Sequence, residues 1–129
     1  MTVVRAVRGA IQVDRDDPEV IVGDTGALLV EVMRRNGLEA GDIISVFFTM
    51  TPDLATEYPA AAARGLGLTE VPLLCATEIG VPDGMERVIR LLAHIHTDRP
   101  PSGVEHVYLR GAARLRPDLN DDEGMSGTW

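Results

Sequence analysis

The 129-residue chain predicts an α+β fold: a mixed five-stranded sheet carrying one long helix and several short ones. Three observations predict it. Residues 18–36 hold the one long apolar stripe at helical spacing, made by Ile21, Thr25, Leu28, Leu29, Val32 and Met33. Five segments rich in β-branched and apolar residues are grouped rather than alternated with helices of that length. One long helix covers only one face of such a sheet, so the other face needs a cover, and an oligomer whose sheets pack together follows.

The first strand is VVRAVRGAIQV at 3–13, where β-branched residues dominate. Arg5 and Arg8, three apart in a period of two, fall on opposite faces. An arginine in so apolar a strand needs a carboxylate or an exit to solvent. Asp17 before Pro18 starts the helix, because proline suits the first helical position and acids suit the positive end of the dipole. Gly37 after Asn36 ends it. Gly23 and Gly26 weaken it by about 1 kcal/mol each relative to alanine. IISVFFTM, 43–50, is the second strand, with Ile44, Val46, Phe48 and Met50 as its apolar face, and TPDL at 51–54 breaks it. YPAAAAR, 58–64, reads as a short helix stopped by Gly65 or Gly67, and EVPLLCAT, 70–77, as the third strand. MERVIRLLAHIHT, 85–97, permits a helix. Yet Ile89, Leu91, Ala93 and Ile95 alternate with Arg90, Leu92, His94 and His96, which favours a strand. VEHVYLR, 104–110, is the fifth strand and 111–115 a short helical turn. The acidic, glycine-containing tail from about 117 is expected to be mobile.

Composition bounds the function. The length suits a single domain over 1–129. A net charge of −8, with 12 basic residues that are all arginine, argues against nucleic acid or an anionic membrane as partner. No apolar run is long enough to span a bilayer, and MTVVRAVRGAI carries no export signature. Cys75, the single cysteine, cannot form an internal disulfide and fits a reducing cytoplasm.

The stretch VPLLCATEIGV, 71–81, opens like a buried strand and then carries Cys75, Thr77 and Glu78. Either the strand has reached solvent, or its end is the floor of a site. Arg8, Arg90 and Arg116 lie in or beside apolar stretches, whereas Arg34 and Arg35 end a helix. Arg90 in VIRLL is the oddest. A salt bridge, with Glu78 as a candidate partner, accounts for it, and so does a site. Convergent arginines suit a ligand with carboxylates, because the planar fork pairs with them through two bonds. Cys75 reads as an inert thiol, since a catalytic cysteine needs a histidine or a helix N-terminus to activate it. His94, His96 and His106 could form a zinc trio, but no carboxylate or cysteine lies at ligand spacing, and no metal is expected. GxSxG, a phosphate loop, CxxC and HExxH are all absent.

Taken together, VRGA at 7–10, TPDL at 51–54, VPLLC with Glu78, IR at 89–90, HVYL at 106–109 and LRPDL at 115–119 resemble the monofunctional chorismate mutases of the trimeric, pseudo-α/β-barrel class. The likeness runs from about residue 3 to residue 119. It implies a homotrimer whose sheets form a central barrel, with three active sites in clefts between neighbouring subunits. It implies the Claisen rearrangement of chorismate to prephenate, on the way to phenylalanine and tyrosine, without a cofactor. Arg90 and Glu78 would then be the catalytic residues, Arg90 facing the ether oxygen and a carboxylate, Glu78 meeting the ring hydroxyl together with Cys75. Arg8 and Tyr108 would hold a substrate carboxylate, and Tyr58 would stand as an aromatic wall. Leu73 and Leu74 would line the floor, with Ala76 and Thr77 in the same substrate-binding run, and Leu115 with Arg116 would close the cleft. Two positions depart from the family's habit: Ala61 where a lysine is frequent, and Leu74 where a threonine is common. Two rival readings are an imine or enamine deaminase on a similar trimeric fold, which would not need Glu78 and Tyr108 where they are, and a non-catalytic sensor of an aromatic acid.

Overall fold

The helix begins where its signals place it. In the computed structural model, which describes residues 1–116, Asp17 Oδ2 accepts the N–H groups of Glu19 and Val20 at 3.1 Å each, and Pro18 opens helix α1, Pro18–Arg35. Arg34 and Arg35 both reach Glu31 at 2.8 Å in the last turns. Gly37, at φ 61°, then turns the chain away, a conformation that suits a residue without Cβ. The tail expected to be mobile from about 117 lies outside the described residues.

Five strands follow the expected order: β1 Val3–Gln12, β2 Ile43–Met50, β3 Leu73–Thr77, β4 Val88–Thr97 and β5 Val107–Leu109. They form one mixed sheet in the order β3-β2-β4-β1-β5. Strand β4 runs antiparallel to both β1 and β2, while the outer strands β5 and β3 run parallel to their neighbours. The short helix α2 is Ala60–Gly65, and the helical turn expected over 111–115 is a 3-10 turn, Arg110–Leu115.

Three strands start later than expected, each for a local reason. Pro72 has no N–H for a ladder, although its carbonyl still accepts from Val46 at 3.0 Å. Arg87 takes φ 54° and gives its N–H to Asp53 Oδ2 at 3.0 Å, so β4 cannot begin before Val88. Ahead of β5, the Glu105 N–H goes to Asn36 Oδ1 at 2.8 Å, and His106 meets β1 through its ring rather than its backbone.

Helix α1 lies on one sheet face. Gly9 makes that approach possible: a Cβ there would meet Leu28 at 3.2 Å and Leu91 at 3.3 Å. The core on this side is built from Val7, Ile11, Val46, Phe48, Ile89, Leu91 and Ile95 against Ile21, Leu28, Leu29 and Val32. One expectation for β2 is corrected. Ile43, not Ile44, is buried, because a bulge between Ile43 and Ser45 shifts the parity of the strand. The opposite face carries Val4, Ala6 and Arg8 of β1, Phe47 and Thr49 of β2, Leu74 and Ala76 of β3, and Arg90, Leu92, His94 and His96 of β4. Among the described residues, one corner is covered, where Leu115 and Met85 pack on Ala10, Val88, Tyr108 and Ala112. Phe47 and Leu74 remain 44% and 57% exposed.

Candidate active site

Strand register assembles the central row of the uncovered face. Thr49 stands between Ala76 on one side and Arg90 on the other, and Arg90 stands opposite Ala10, which neighbours Tyr108. Glu78 lies just past the end of β3, but its N–H still bonds Met50 O at 2.9 Å. Two residues beyond Ala76, its side chain therefore rises on the same face as Thr49 and Arg90. The carboxylate meets both: Thr49 Oγ1 donates to Glu78 Oε2 at 2.7 Å, and Arg90 Nε lies 2.9 Å from the same oxygen. The Arg90 contact is an ion pair rather than an aligned hydrogen bond. Both side chains are about five-sixths buried, at 16% and 15% exposure, so water screens the pair weakly. The ion pair with Glu78 that the sequence offers for Arg90 is present, and it lines a cleft.

That cleft has a volume of about 560 Å³ and is bounded by Glu78, Arg90, Leu115, Thr51–Asp53 and the loop from Ile79 to Glu86. The TPDL turn shapes it. Thr51 exchanges two 3.0 Å bonds with Val88, Thr51 N–H to Val88 O and Val88 N–H to Thr51 Oγ1. Asp53 holds the far end of the loop through Arg87. These turn residues, and Thr49, are parts of the site that sequence reasoning missed. The parity of IISVFFTM offers a signal, since Ser45 and Thr49 are polar on the face that Phe47 shares.

Beside the cleft, Arg8, Arg90 and Arg116 converge on Tyr108. Burial pushes the Tyr108 phenol above its usual range, against the pull of Arg8, Arg116 and Arg90. His106 accepts the Arg8 N–H through Nδ1 at 3.0 Å, which requires that nitrogen to be unprotonated. Burial, reinforced by Arg8 and Arg116, holds the His106 pKa below its usual value. The three histidines do not meet as a zinc trio: β1 separates His106 from the strand of His94 and His96, and among the described residues no group of His, Cys, Asp or Glu is placed to hold a metal.

The remaining candidates sit apart. Tyr58, Leu73, Leu74 and Cys75 line a second, shallower cleft of about 390 Å³ with Ala60 and Arg64. Cys75 is opposite Phe48 in the sheet and packs against the core, on the face away from Arg90. One chain therefore does not bring Cys75 to Glu78, as the shared ring hydroxyl would require. Ala76 shares the Glu78 face, whereas Thr77 takes the opposite parity. A single chain thus carries two separate clefts: a cationic one with a largely buried carboxylate, and an apolar one with Arg64 at its edge. Among the described residues no helix is long and apolar enough to cross a membrane.

Comparison with known proteins supports the resemblance drawn from the motifs. Residues 4–119 match the family model described as chorismate mutase type I. The chain is 50% identical to a chorismate mutase AroH of Thermus thermophilus, over 90% of this chain and 96% of the relative. It is 37% identical to the chorismate mutase AroH of Bacillus subtilis (strain 168), over 91% and 93%. Its fold superimposes on a solved chorismate mutase from Clostridium thermocellum with a TM-score of 0.83, at 45% identity, covering 84% of this chain and 96% of that one. The chain belongs to the chorismate mutase type I family.

Proposed function

We infer that the protein is an isomerase that rearranges chorismate to prephenate in aromatic amino acid biosynthesis, and that it does so as a homotrimer in the cytoplasm. The observation that carries the catalytic reading is the buried Arg90–Glu78 pair, 2.9 Å apart on the wall of an open cleft. In this reaction a carbon–oxygen ether bond breaks as a carbon–carbon bond forms, within one molecule. No nucleophile, proton carrier or cofactor is needed. Negative charge grows on the ether oxygen, and a fixed guanidinium stabilises it more in the transition state than in the ground state. Arg90 is that guanidinium. Glu78 holds it in place and accepts the ring hydroxyl. Arg8 and Tyr108, next to Arg90 on the same face, take a carboxylate, and Leu115 with Arg116 covers the ligand. Holding the compact reactive shape supplies the rest of the barrier reduction.

The two separate clefts support the trimer. Tyr58, Leu73, Leu74 and Cys75 of one subunit complete the cleft of the next, which brings Cys75 to the hydroxyl across the interface. The exposed Phe47 and Leu74, on the sheet face that α1 leaves bare, supply the apolar contact for closing three sheets into a barrel. The 1–129 chain then forms one chorismate mutase domain. Purified protein mixed with chorismate tests the reading: the substrate absorbance disappears and prephenate accumulates in a 1:1 ratio. Binding without consumption would favour a sensor instead, and imine hydrolysis without chorismate turnover would favour a deaminase.

A further inference from the structure

We propose that Thr49 is a positioning residue for the rearrangement, acting through Glu78 on Arg90; the proposal rests on the chorismate mutase reading. Its basis is that one carboxylate oxygen receives two groups. Glu78 Oε2 accepts the Thr49 hydroxyl at 2.7 Å and lies 2.9 Å from Arg90 Nε. Thr49 is placed for this by two registers at once, opposite Arg90 across β2–β4 and opposite Ala76 across β2–β3. With Oε2 held from two sides, Oε1 is the oxygen offered to the ligand hydroxyl.

The hydroxyl also settles how the ion pair is made. A carboxylate beside a guanidinium tends to close on it through both oxygens. Thr49 competes for Oε2 and opposes that rotation, so the pair stays as a side-on contact through Nε. Glu78 then keeps to the Nε edge of the guanidinium instead of closing on its terminal nitrogens. Without the hydroxyl, Glu78 turns onto the fork, draws the cation away from the ether oxygen and withdraws its own acceptor. Valine has threonine's shape and suits a strand, so Thr49→Val removes the donor and little else.

The test is a double-mutant cycle with a rescue, read as steady-state turnover of chorismate by the full-length protein and accompanied by melting curves. Thr49→Val is expected to lower kcat/KM by about tenfold or more, with most of the loss in kcat. Thr49→Ser, which restores the donor, is expected to stay within about threefold of the wild type. In a Glu78→Ala background the same Thr49→Val change is expected to cost less than about twofold, because there is no carboxylate left to hold. A purely structural threonine would cost the same in both backgrounds and would lower the melting temperature in each, and that outcome overturns the proposal. So does Thr49→Val turnover equal to that of an active wild type. A wild type that leaves chorismate unchanged overturns the family activity and this role together, so the two failures are told apart by the wild-type control.

Discussion

At the scale of single residues, His106 shows how a group beside the cleft is tied to protonation. Its Nδ1 accepts the Arg8 N–H at 3.0 Å, and burial together with Arg8 and Arg116 lowers its pKa from the usual 6.5. A group with a lowered folded-state pKa adds stability above its unfolded value, and that contribution is lost as pH falls through the folded one. The melting temperature is therefore expected to drop as pH goes from about 7 to about 5, and His106→Gln, which keeps an acceptor without titrating, should flatten the slope. Equal slopes in the two proteins would remove His106 from this role. The carboxylates act lower: hydrogen bonds from Arg34 and Arg35 pull Glu31 down to about 2, and Asp16 is lowered by bonds from Ala55 and Thr56.

At the scale of elements, the turn that carries Leu115 and Arg116 is set by two adjacent residues. Arg110 takes φ 54° and its guanidinium lies 2.6 Å from Asp24 of α1. A Cβ on Gly111 would run into the Gln12 side chain, whose amide is held by Glu86 O at 2.9 Å. Gly111→Ala must displace either Gln12 or the turn, so KM is expected to rise severalfold with kcat nearly unchanged. Adding Gln12→Ala should recover most of the loss in a kinetic assay, and no recovery would mean that the turn is positioned by other contacts. The elements themselves were largely legible. The 3.6-residue stripe and the Asp17-Pro18 start give α1, and the alternation at 88–97 gives β4. What stayed hidden depended on pairing. The bulge that buries Ile43 instead of Ile44 needs the β2–β4 register, and Thr49 gains its meaning only when Arg90 lies opposite and Glu78 beside it. The parity of Cys75 against Glu78, 75 odd and 78 even, already separates the two side chains. The motif resemblance grouped them because it implies a site shared between chains.

At the scale of the whole molecule, the sheet has one face under α1 and one that the described residues leave bare except at the Leu115 corner. The bare face carries the Arg90 row and, beside it, Leu74, Phe47, Leu92 and Arg8 in register. An apolar pair as exposed as Phe47 and Leu74 beside an open cationic cleft is the contact the proposed trimer would use. Phe47→Asp places a charge in that contact. It is expected to shift the mass in solution from three copies to one and to abolish turnover while leaving the helix signal intact. A monomer that still rearranges chorismate would confine the site to one chain.

The role proposed for Arg90 is to hold its guanidinium at an oxygen that gains electrons as its bond to carbon breaks. Steady-state kinetics of Arg90→Lys test this most directly, because lysine keeps the charge and loses the planar fork. The expected result is a loss of at least about 3 kcal/mol of transition-state stabilisation, roughly a hundredfold in kcat/KM, with the assembly unchanged. Turnover close to that of the wild type would contradict it.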